Sequence, residues 1–369
     1  MADKPLKRRD FVGAAVGGGL VAGAQAANAA GAKKTETSTR SILNYNENME
    51  YRRLGKTNLM VSAVCLGGHW KRIDTLVPGV FGSSGKWLEA DLDNPEFMKN
   101  RHDVVSRCIE VGINYIDACT AQEVITYARA LKGRRDKMWL GYSWYQNEPR
   151  KPEYRTVPKL MESLENGLKE AGLDYVDLWR VTLPAETLPD LAELKRIEDA
   201  TFGALEQARK DGKVRFTGIS THNRPWLRSL IQNYPDQMQV ACTPYTANSK
   251  ELPGDSVFRA IRKFDVGVFG IKPFASNSLF DGDSSPNSPN REEDDRRARM
   301  AIRYILCNPS ITAPIPGLIS MQQVDNMAKA VMERRTLDPK ELSELDEAGK
   351  KMWARLSPGY NWLRDWEYV

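Results

Sequence analysis

Cysteine and histidine are scarce in this chain, which has five cysteines and three histidines among 369 residues. The cysteines are odd in number and none is spaced as CxxC, so the sequence indicates neither a disulfide framework nor a zinc site. A single disulfide would still be possible if the chain is exported to an oxidising compartment. The histidines also lack metal-ligand spacing, and we therefore expect no metal centre. The residues are Cys65, Cys108, Cys119, Cys242, Cys307, His69, His102 and His222.

A large excess of one charge is also missing. The chain has 53 basic and 48 acidic residues, which gives a formal net charge of +5. The first thirty residues contribute +2 of this, and the remaining +3 is dispersed along the sequence. So small an excess does not argue for a nucleic-acid partner, and we expect none.

Long apolar runs are absent after the first thirty residues. From residue 31 onward, no segment approaches the length of a membrane span, about 18 apolar residues. The first thirty have the order of a signal peptide. Basic residues from Lys4 to Arg9 precede an Ala/Gly/Val run to Ala24, and AQA and ANA follow as cleavage sites. The adjacent arginines of KRRDFVG resemble a twin-arginine signal. An ordinary Sec signal and an uncleaved anchor are the alternatives.

We therefore predict a twin-arginine-type signal peptide over residues 1–30 and a polar linker over residues 31–48. The implied partner is the twin-arginine export machinery, and the implied location is the periplasm or cell envelope of a bacterium. After cleavage, no stable membrane span is expected.

Short apolar runs alternate with helical patterns from about residue 60 onward, which predicts a parallel (β/α)8 barrel. A doubly wound sheet is the alternative, but no GxGxxG opens a helix after the first strand. In a barrel, chemistry collects at the carboxyl ends of the strands and in the loops that follow them. The eight predicted strands are VSAVCLGG (61–68), INYIDAC (113–119), KMWLGYS (137–143), YVDLWRVT (175–182), VRFTGIS (214–220), QVACTP (239–244), VGVFGIKP (266–273) and TAPIPG (312–317).

Several ordered motifs between residues 51 and 335 resemble the aldo-keto reductases. YRRLGKTNLMVSAVCLGG resembles the opening hairpin and first strand of that family, and the agreement continues through INYIDA, ALKGRRDK, LKEAGLDYVDL, KVRFTGIS, KPFA and IPGLISMQQV. The resemblance implies a barrel over residues 49–337 and a C-terminal helix and tail over residues 338–369.

The resemblance also implies a carbonyl–alcohol oxidoreductase that binds NADP(H), or alternatively NAD(H), across the carboxyl face of the barrel. The family uses an aspartate, a tyrosine, a lysine and a histidine. Asp117 matches the aspartate, but Gln122, Ser143 and Thr182 stand at the other three positions, and the segment after Asp117 is about four residues short. We therefore expect a non-standard site, with a non-catalytic barrel of binding or structural role in the cell envelope as the alternative.

The cofactor-binding positions of the family are better matched. No basic residue lies between Gly317 and Asn326 to bind a 2′-phosphate. The preference for NADP(H) therefore rests on the resemblance. The matching residues are Ser220, Asn223, Ser276, Ser278, Leu279, Gly317, Ser320, Gln323 and Asn326.

Arg180 lies inside a strand that is predicted to be buried on both faces, where an unpaired charge would cost several kcal/mol. Residues two apart in a strand face the same way, so Arg180 should share the barrel interior with Thr182. Because Asp117 has lost its lysine partner, we predict that Arg180 pairs with Asp117, either to neutralise it or to stabilise charge during catalysis.

Tyr142, His222 and Lys272 lie at the ends of the third, fifth and seventh strands and are candidate proton donors, although Tyr142 is expected to pack in the core. A phosphate-side or structural lysine and a loop histidine are the alternatives. In the tail, we expect the aromatic side chains Tyr360, Trp362, Trp366 and Tyr368 to cover the barrel, with a partner surface as the weaker option. The tail has no clustered cysteines, so no iron–sulfur cluster is expected there.

Overall fold

The computed structural model describes residues 42–184, 190–251 and 256–366. These residues belong to one compact unit, Thr39–Val369. The predicted signal peptide lies outside the described residues, as does the linker up to residue 41. Among the described residues, no helix has the length and apolarity needed to cross a membrane.

Eight parallel strands form the central sheet, and each pairs with the strand before it in the chain. A bridge between Gly67 and Gly317 joins the first strand to the last. The Gly67 N–H donates to the Pro316 carbonyl at 2.8 Å. The predicted (β/α)8 barrel is thereby confirmed. Its strands are β3 (Leu66–Gly67), β4 (Tyr115–Ala118), β5 (Trp139–Tyr142), β6 (Val176–Thr182), β7 (Val214–Ser220), β8 (Val240–Pro244), β9 (Gly267–Ile271) and β10 (Ala313–Ile315).

An antiparallel hairpin, β1 (Tyr51–Arg53) and β2 (Met60–Ser62), precedes the barrel. The first predicted strand, residues 61–68, is therefore divided between this hairpin and β3. A turn separates the two, and in it the Ser62 hydroxyl donates to the Val64 carbonyl at 2.7 Å. The hairpin packs against the barrel so closely that a Cβ on Gly267 would lie 2.7 Å from the Leu54 side chain.

Helices cover the outside of the barrel and bury apolar stripes against it. Leu160, Leu164 and Leu168 of α3, for example, are buried, and each such side chain contributes about 1.5–3 kcal/mol when removed from water. The helices are α1 (Pro95–Glu110), α2 (Ala121–Ala130), α3 (Val157–Ala171), α4 (Leu191–Lys210), α5 (Arg224–Asn233), α6 (Ser256–Lys263), α7 (Arg291–Leu306), α8 (Met321–Met332), α9 (Pro339–Ala354) and α10 (Asn361–Trp366).

The described end of the predicted linker contacts the barrel. The Asn44 side-chain amide donates to the Ile109 carbonyl of α1 at 2.7 Å, and Asn114 donates to the Leu43 carbonyl at 2.9 Å. Residues 43 and 44 of the predicted linker therefore contact the barrel domain.

The C-terminal segment packs on the barrel through α9, which starts with a capping box formed by Asp338 and Glu341. Arg303 of α7 is 3% exposed and donates to Glu341 at 2.8 Å. The chain then returns over the carboxyl face through a 3₁₀ turn, Pro358–Tyr360, and α10. Leu363 of α10 is fully buried, so this segment is part of the folded domain.

Candidate functional site

A cavity of about 360 Å³ opens at the carboxyl ends of the barrel strands. Its volume lies within the usual range of ligand pockets, about 300–1,000 Å³. Its walls come from the loops after β3, β4, β5, β7, β9 and β10 and from the C-terminal tail. The residues that line it include Gly68, His69, Lys71, Trp87, Asp117, Cys119, Tyr145, Arg150, Arg180, Thr182, Ser220, His222, Lys272, Ser276, Asn277, Gly317, Tyr360 and Trp362.

Asp117 and Arg180 form a bidentate ion pair at this cavity, as predicted. Arg180 Nε donates to Asp117 Oδ1 at 2.7 Å, and Arg180 Nη2 donates to Oδ2. The two side chains are 6% and 4% exposed, respectively. Burial works against the guanidinium charge, but Asp117 raises the pKa of Arg180 well above its ordinary value. Arg180 therefore stays charged and does not act as a proton donor.

Ser143 and Thr182, at the predicted lysine and histidine positions, belong to a hydrogen-bond network around Glu148. Ser143 Oγ donates to Glu148 Oε2 at 2.6 Å, and the Thr182 N–H donates to the same oxygen at 2.7 Å. Trp144 N–H and Trp179 Nε1 donate to the other oxygen. Burial raises the pKa of Glu148 despite these bonds. Sequence analysis missed Glu148, because nothing in the local pattern marks a loop carboxylate that turns inward.

Gln122, at the predicted tyrosine position, lies at the start of α2 and does not line the cavity. The next residue, Glu123, lies beside the barrel mouth instead, and its side chain is fully buried. A Cβ on Gly68 would lie 2.3 Å from the Glu123 carboxylate, so a larger residue there would displace Glu123. The structure thus brings a second carboxylate to this face that sequence analysis did not identify.

Glu123 links two other residues at the mouth. Its Oε1 is 2.7 Å from His69 Nδ1, and its Oε2 accepts from the Cys119 N–H at 2.7 Å. Burial acts to raise the pKa of Glu123, but His69 and the Cys119 N–H lower it overall. Burial lowers the pKa of His69.

The ligand atoms of His69, Cys119 and Glu123 lie within 4.8 Å of one another. Sequence spacing did not predict this group, because His69 follows β3 whereas Cys119 and Glu123 come from the β4–α2 segment about 50 residues later. Both Glu123 oxygens are already hydrogen-bonded, so the group is complete as a hydrogen-bond network.

Lys71, Tyr360 and Ser276 form a second cluster in the wall of the first cavity. Lys71 Nζ donates to Ser276 Oγ at 2.7 Å and to the Tyr360 hydroxyl. Lys272 Nζ lies 5.5 Å from the centroid of the Tyr360 ring. Burial acts to raise the pKa of Tyr360, but the charges of Lys272 and Lys71 outweigh it and lower this pKa to about 8.

The loop after β9 holds these groups in an unusual backbone conformation. Lys272, Ala275, Ser276 and Asn277 have positive φ values of 61°, 45°, 59° and 70°. Non-glycine residues rarely adopt this conformation, and it is most often retained where a site requires it. The loop therefore places Lys272 and Ser276 at the mouth at some conformational cost.

His222 lines the cavity and stacks on Trp362, with ring centroids 3.8 Å apart and an interplanar angle of 8°. Burial, together with Lys272 and Arg150, lowers the pKa of His222 well below its ordinary value. The imidazole is therefore neutral near pH 7. As expected for the tail aromatics, Trp362 and Tyr360 cover the barrel, and the structure adds that both line the cavity. The side chains of Trp366 and Tyr368 lie outside the described residues.

A second cavity of about 150 Å³ continues from the first. The two share His69, Lys71, Phe274, Asn277 and Gly317. Its walls include four residues that were predicted to bind a cofactor: Gly317, Ser320, Gln323 and Asn326. Ser320 caps α8 by accepting from the Gln323 N–H at 3.2 Å. Because both residues line the cavity, the amino end of this helix faces it.

The remaining predicted cofactor residues are divided between the cavities and the structural core. Ser220 and Ser276 line the first cavity. Asn223 caps α5 by accepting from the Trp226 N–H at 3.0 Å, Leu279 is buried in the core, and Ser278 lines neither cavity. The contacts of Asn223 and Leu279 are those of structural residues.

Two arginines that sequence analysis did not identify line the second cavity, Arg72 and Arg291. Arg72 lies in the loop after β3 and donates to the Gly282 carbonyl at 2.6 Å, while Arg291 begins α7. They are far in sequence from residues 317–326, where basic residues are missing. The hydroxyl of Ser288, also in this wall, is buried and has no hydrogen-bond partner among the described residues.

The two cavities carry groups that could bind the phosphates of a nicotinamide dinucleotide. Lys71, Lys272, Arg72 and Arg291 supply positive charge along them, the α8 amino end supplies backbone N–H groups, and Ser288 has an unused hydroxyl. Asp294 and Asp295 oppose this charge at one side. Within the described residues, cationic side chains therefore outnumber acidic ones along the two cavities.

A family model described as "Aldo/keto reductase family" matches residues 77–350. Among individual proteins, L-galactose dehydrogenase of Arabidopsis thaliana is 23% identical over 323 residues, which cover 81% of this chain and 93% of that protein. The uncharacterized oxidoreductase YrpG of Bacillus subtilis is 23% identical over 322 residues, covering 77% of this chain and 91% of that protein.

A solved structure with a similar fold is aldo-keto reductase AKR11C1 from Bacillus halodurans in its holo form. It aligns with a TM-score of 0.55 and 21% sequence identity, and it covers 81% of this chain and 96% of its own. At this identity, the likeness supports the fold.

Proposed function

This chain belongs to the aldo/keto reductase family, and from that premise we propose that it is an NADP(H)-dependent oxidoreductase that interconverts an alcohol and a carbonyl compound. The observation that carries the proposal is the pair of joined cavities with its cationic lining. When bound, the nicotinamide would exchange a hydride with the substrate carbon. Arg72 and Arg291 would bind its phosphate groups, together with the amino end of α8.

We propose that the acid–base residues differ from those of the family, because Gln122, Ser143 and Thr182 stand where tyrosine, lysine and histidine are expected. Glu148 holds Ser143 and Thr182 in place, and Asp117 is neutralised by Arg180. In this arrangement, the Asp117–Arg180 pair is structural and keeps the cavity wall rigid. Proton transfer then needs another group.

The substrate we propose is a small polar compound. The first cavity combines aromatic rings, Trp87, Tyr145 and Trp362, with the polar groups of His69 and Arg150. Such a lining suits a ring that carries hydroxyl groups. The name of the plant relative, L-galactose dehydrogenase, supports a sugar-like compound.

We also propose that the chain is exported by the twin-arginine route, which carries folded proteins and would allow the cofactor to bind before transport. The support is the sequence KRRDFVG and the apolar, small-residue segment that follows it. Replacing Arg8 and Arg9 with lysine should leave the protein in the cytoplasm, as measured by cell fractionation. Unchanged export would contradict the proposal.

Titration of the purified chain with NADPH and NADH, followed by tryptophan fluorescence and calorimetry, tests the proposed cofactor. We expect a dissociation constant near micromolar for NADPH, which corresponds to about −8 kcal/mol. Arg291→Gln should weaken NADPH binding about tenfold or more, because a hydrogen bond to a charged group is lost. It should affect NADH much less, because we propose that Arg291 binds the 2′-phosphate, which NADH lacks.

The matched control is Arg53→Gln, which removes an arginine from the hairpin, outside both cavities. It should change neither dissociation constant. A folded protein that binds neither NADPH nor NADH would overturn the oxidoreductase proposal and favour a non-catalytic barrel.

A further inference from the structure

The C-terminal tail supplies a tyrosine to the cavity, which sequence analysis did not include among the candidate replacements for the family's acid. We propose that the hydroxyl of Tyr360 exchanges the proton with the substrate oxygen. This inference rests on the proposed function and adds to it the group that completes the reaction. Tyr360 lies about 240 residues after the position of Gln122, so its role depends on the folding of the tail rather than on a sequence motif.

Tyr360 is held firmly enough to serve in this way. It ends the turn Pro358–Tyr360, whose proline restricts the backbone. On one side, Arg355 binds Asp281. On the other, Trp362 stacks on His222, and Leu363 is fully buried. These contacts fix the tail before and after Tyr360, and the side chain lines the cavity.

The surroundings of the hydroxyl are those of an activated acid. Lys71 Nζ donates to it, and Lys71 is itself oriented by Ser276 at 2.7 Å. Lys272 Nζ also lies close to the ring, 5.5 Å from its centroid. The other titratable groups that line the cavity are His69, Asp117, Cys119, Tyr145, Arg150, Arg180 and His222. Two ammonium groups therefore face one phenol, and they stabilise its anion.

The other candidates are less suited to donate a proton near neutral pH. Arg180 is held charged by Asp117. The imidazole of His222 is neutral because its pKa is lowered well below the ordinary value. Burial raises the pKa of Tyr145, whereas that of Tyr360 is lowered to about 8. An efficient acid–base catalyst has a pKa near the working pH, and Tyr360 meets that condition.

Protons and electrons are conserved in the proposed step in both directions. In reduction, the carbonyl carbon gains a hydride, which the reduced nicotinamide supplies, and the π electron pair of the C=O bond moves to oxygen. That oxygen takes the proton of the Tyr360 hydroxyl, which leaves an alcohol and a tyrosinate. Lys71 and Lys272 stabilise the tyrosinate until solvent returns the proton. In oxidation, the tyrosinate removes the proton from the alcohol.

The first test needs neither cofactor nor substrate. Ultraviolet difference titration of the apoprotein should reveal one tyrosine that ionises near pH 8. Tyr360→Phe should remove that component, and Lys71→Met should move its midpoint toward the ordinary value of about 10. Tyr175→Phe, which removes an exposed tyrosine at the start of β6, is the control and should leave the component unchanged. A low-pH component that survives in Tyr360→Phe would overturn the inference.

The second test uses the compounds of the proposed class, with L-galactose as the alcohol and its lactone or a simple aldose as comparison. Tyr360→Phe should lower kcat by about 10²–10⁴-fold, as expected for loss of an acid–base group. Its dissociation constant for NADPH should stay within about twofold of the wild type. The rate of oxidation should rise with pH through about 8, following the tyrosinate, and this rise should be absent in the variant.

The two proposals fail in different ways. Loss of NADPH binding in the wild type would overturn the proposed function and, with it, this role of Tyr360. Intact NADPH binding and equal kcat values for wild type and Tyr360→Phe would overturn the inference alone.

Discussion

Two groups of buried charge line the same cavity, and they are held in different ways. Asp117 and Arg180 stand on β4 and β6, which form part of the rigid barrel wall. Lys71, Lys272 and Tyr360 come from two loops and the tail. The first group contains one full charge of each sign at bidentate distance. The second places two cations around a group that is neutral when protonated.

This difference separates stability from reactivity. The bidentate pair supplies no proton donor near neutral pH, because Arg180 stays charged beside Asp117. Two cations without an anion have the opposite effect, since they favour release of a proton from the nearest acid. The strand pair is therefore suited to hold the wall, and the loop-and-tail group is suited to proton transfer.

Breaking the strand pair should have the largest effect on stability. Asp117→Asn or Arg180→Met leaves one charge buried without its partner, and either should lower the free energy of unfolding by about 3–5 kcal/mol. Urea denaturation measures this effect. The double variant should recover a large part of the loss, because both charges are then gone. A single variant as stable as the wild type would show that the pair does not contribute.

The loop-and-tail group should instead make stability depend on pH. The pKa of Tyr360 is about 8 in the folded protein and about 10 in the unfolded chain. Below pH 8 the phenol is protonated in both states, so it contributes nothing through ionisation. Between pH 8 and 10 only the folded state releases the proton, and stability therefore rises with pH and levels off above 10.

The size of that rise is about 3 kcal/mol, since the pKa difference is about two units and each unit corresponds to about 1.4 kcal/mol. The measurement is the difference in unfolding free energy between wild type and Tyr360→Phe as a function of pH. Taking this difference removes the contribution of the other titrating groups. A difference that stays constant from pH 7 to 10 would contradict the lowered pKa.

The same contrast explains what could be predicted from the sequence. The Asp117–Arg180 pair was predictable because strand periodicity sets which residues face inward and because a buried charge needs a partner. Alternation of strands and helices was likewise enough for the barrel. The positions of Gly317, Ser320 and Gln323 followed from the family resemblance, and all three line the second cavity.

Residues that reach the site through loops were not predictable in this way. Glu148 and Glu123 turn inward from segments whose local pattern resembles any polar loop or helix start. Arg72 and Arg291 approach the second cavity from opposite parts of the chain. Tyr360 appeared only as one of four tail aromatics, because no periodicity fixes where a tail crosses the barrel. Long-range packing, rather than local spacing, determines these positions.

An exposed ion pair offers the sharpest control on the strand pair and should show the smallest effect. Arg53 binds Asp265 in the same bidentate manner, with both contacts at 2.7 Å, but each side chain is 48% exposed. Arg53→Gln should change the unfolding free energy by less than about 1 kcal/mol, because water and salt already screen the pair. If urea denaturation gave this variant a loss as large as that of Asp117→Asn, contact geometry rather than burial would determine the cost of breaking an ion pair here. A loss several times smaller would assign the difference between the two pairs to the desolvated position of Asp117 and Arg180 in the barrel.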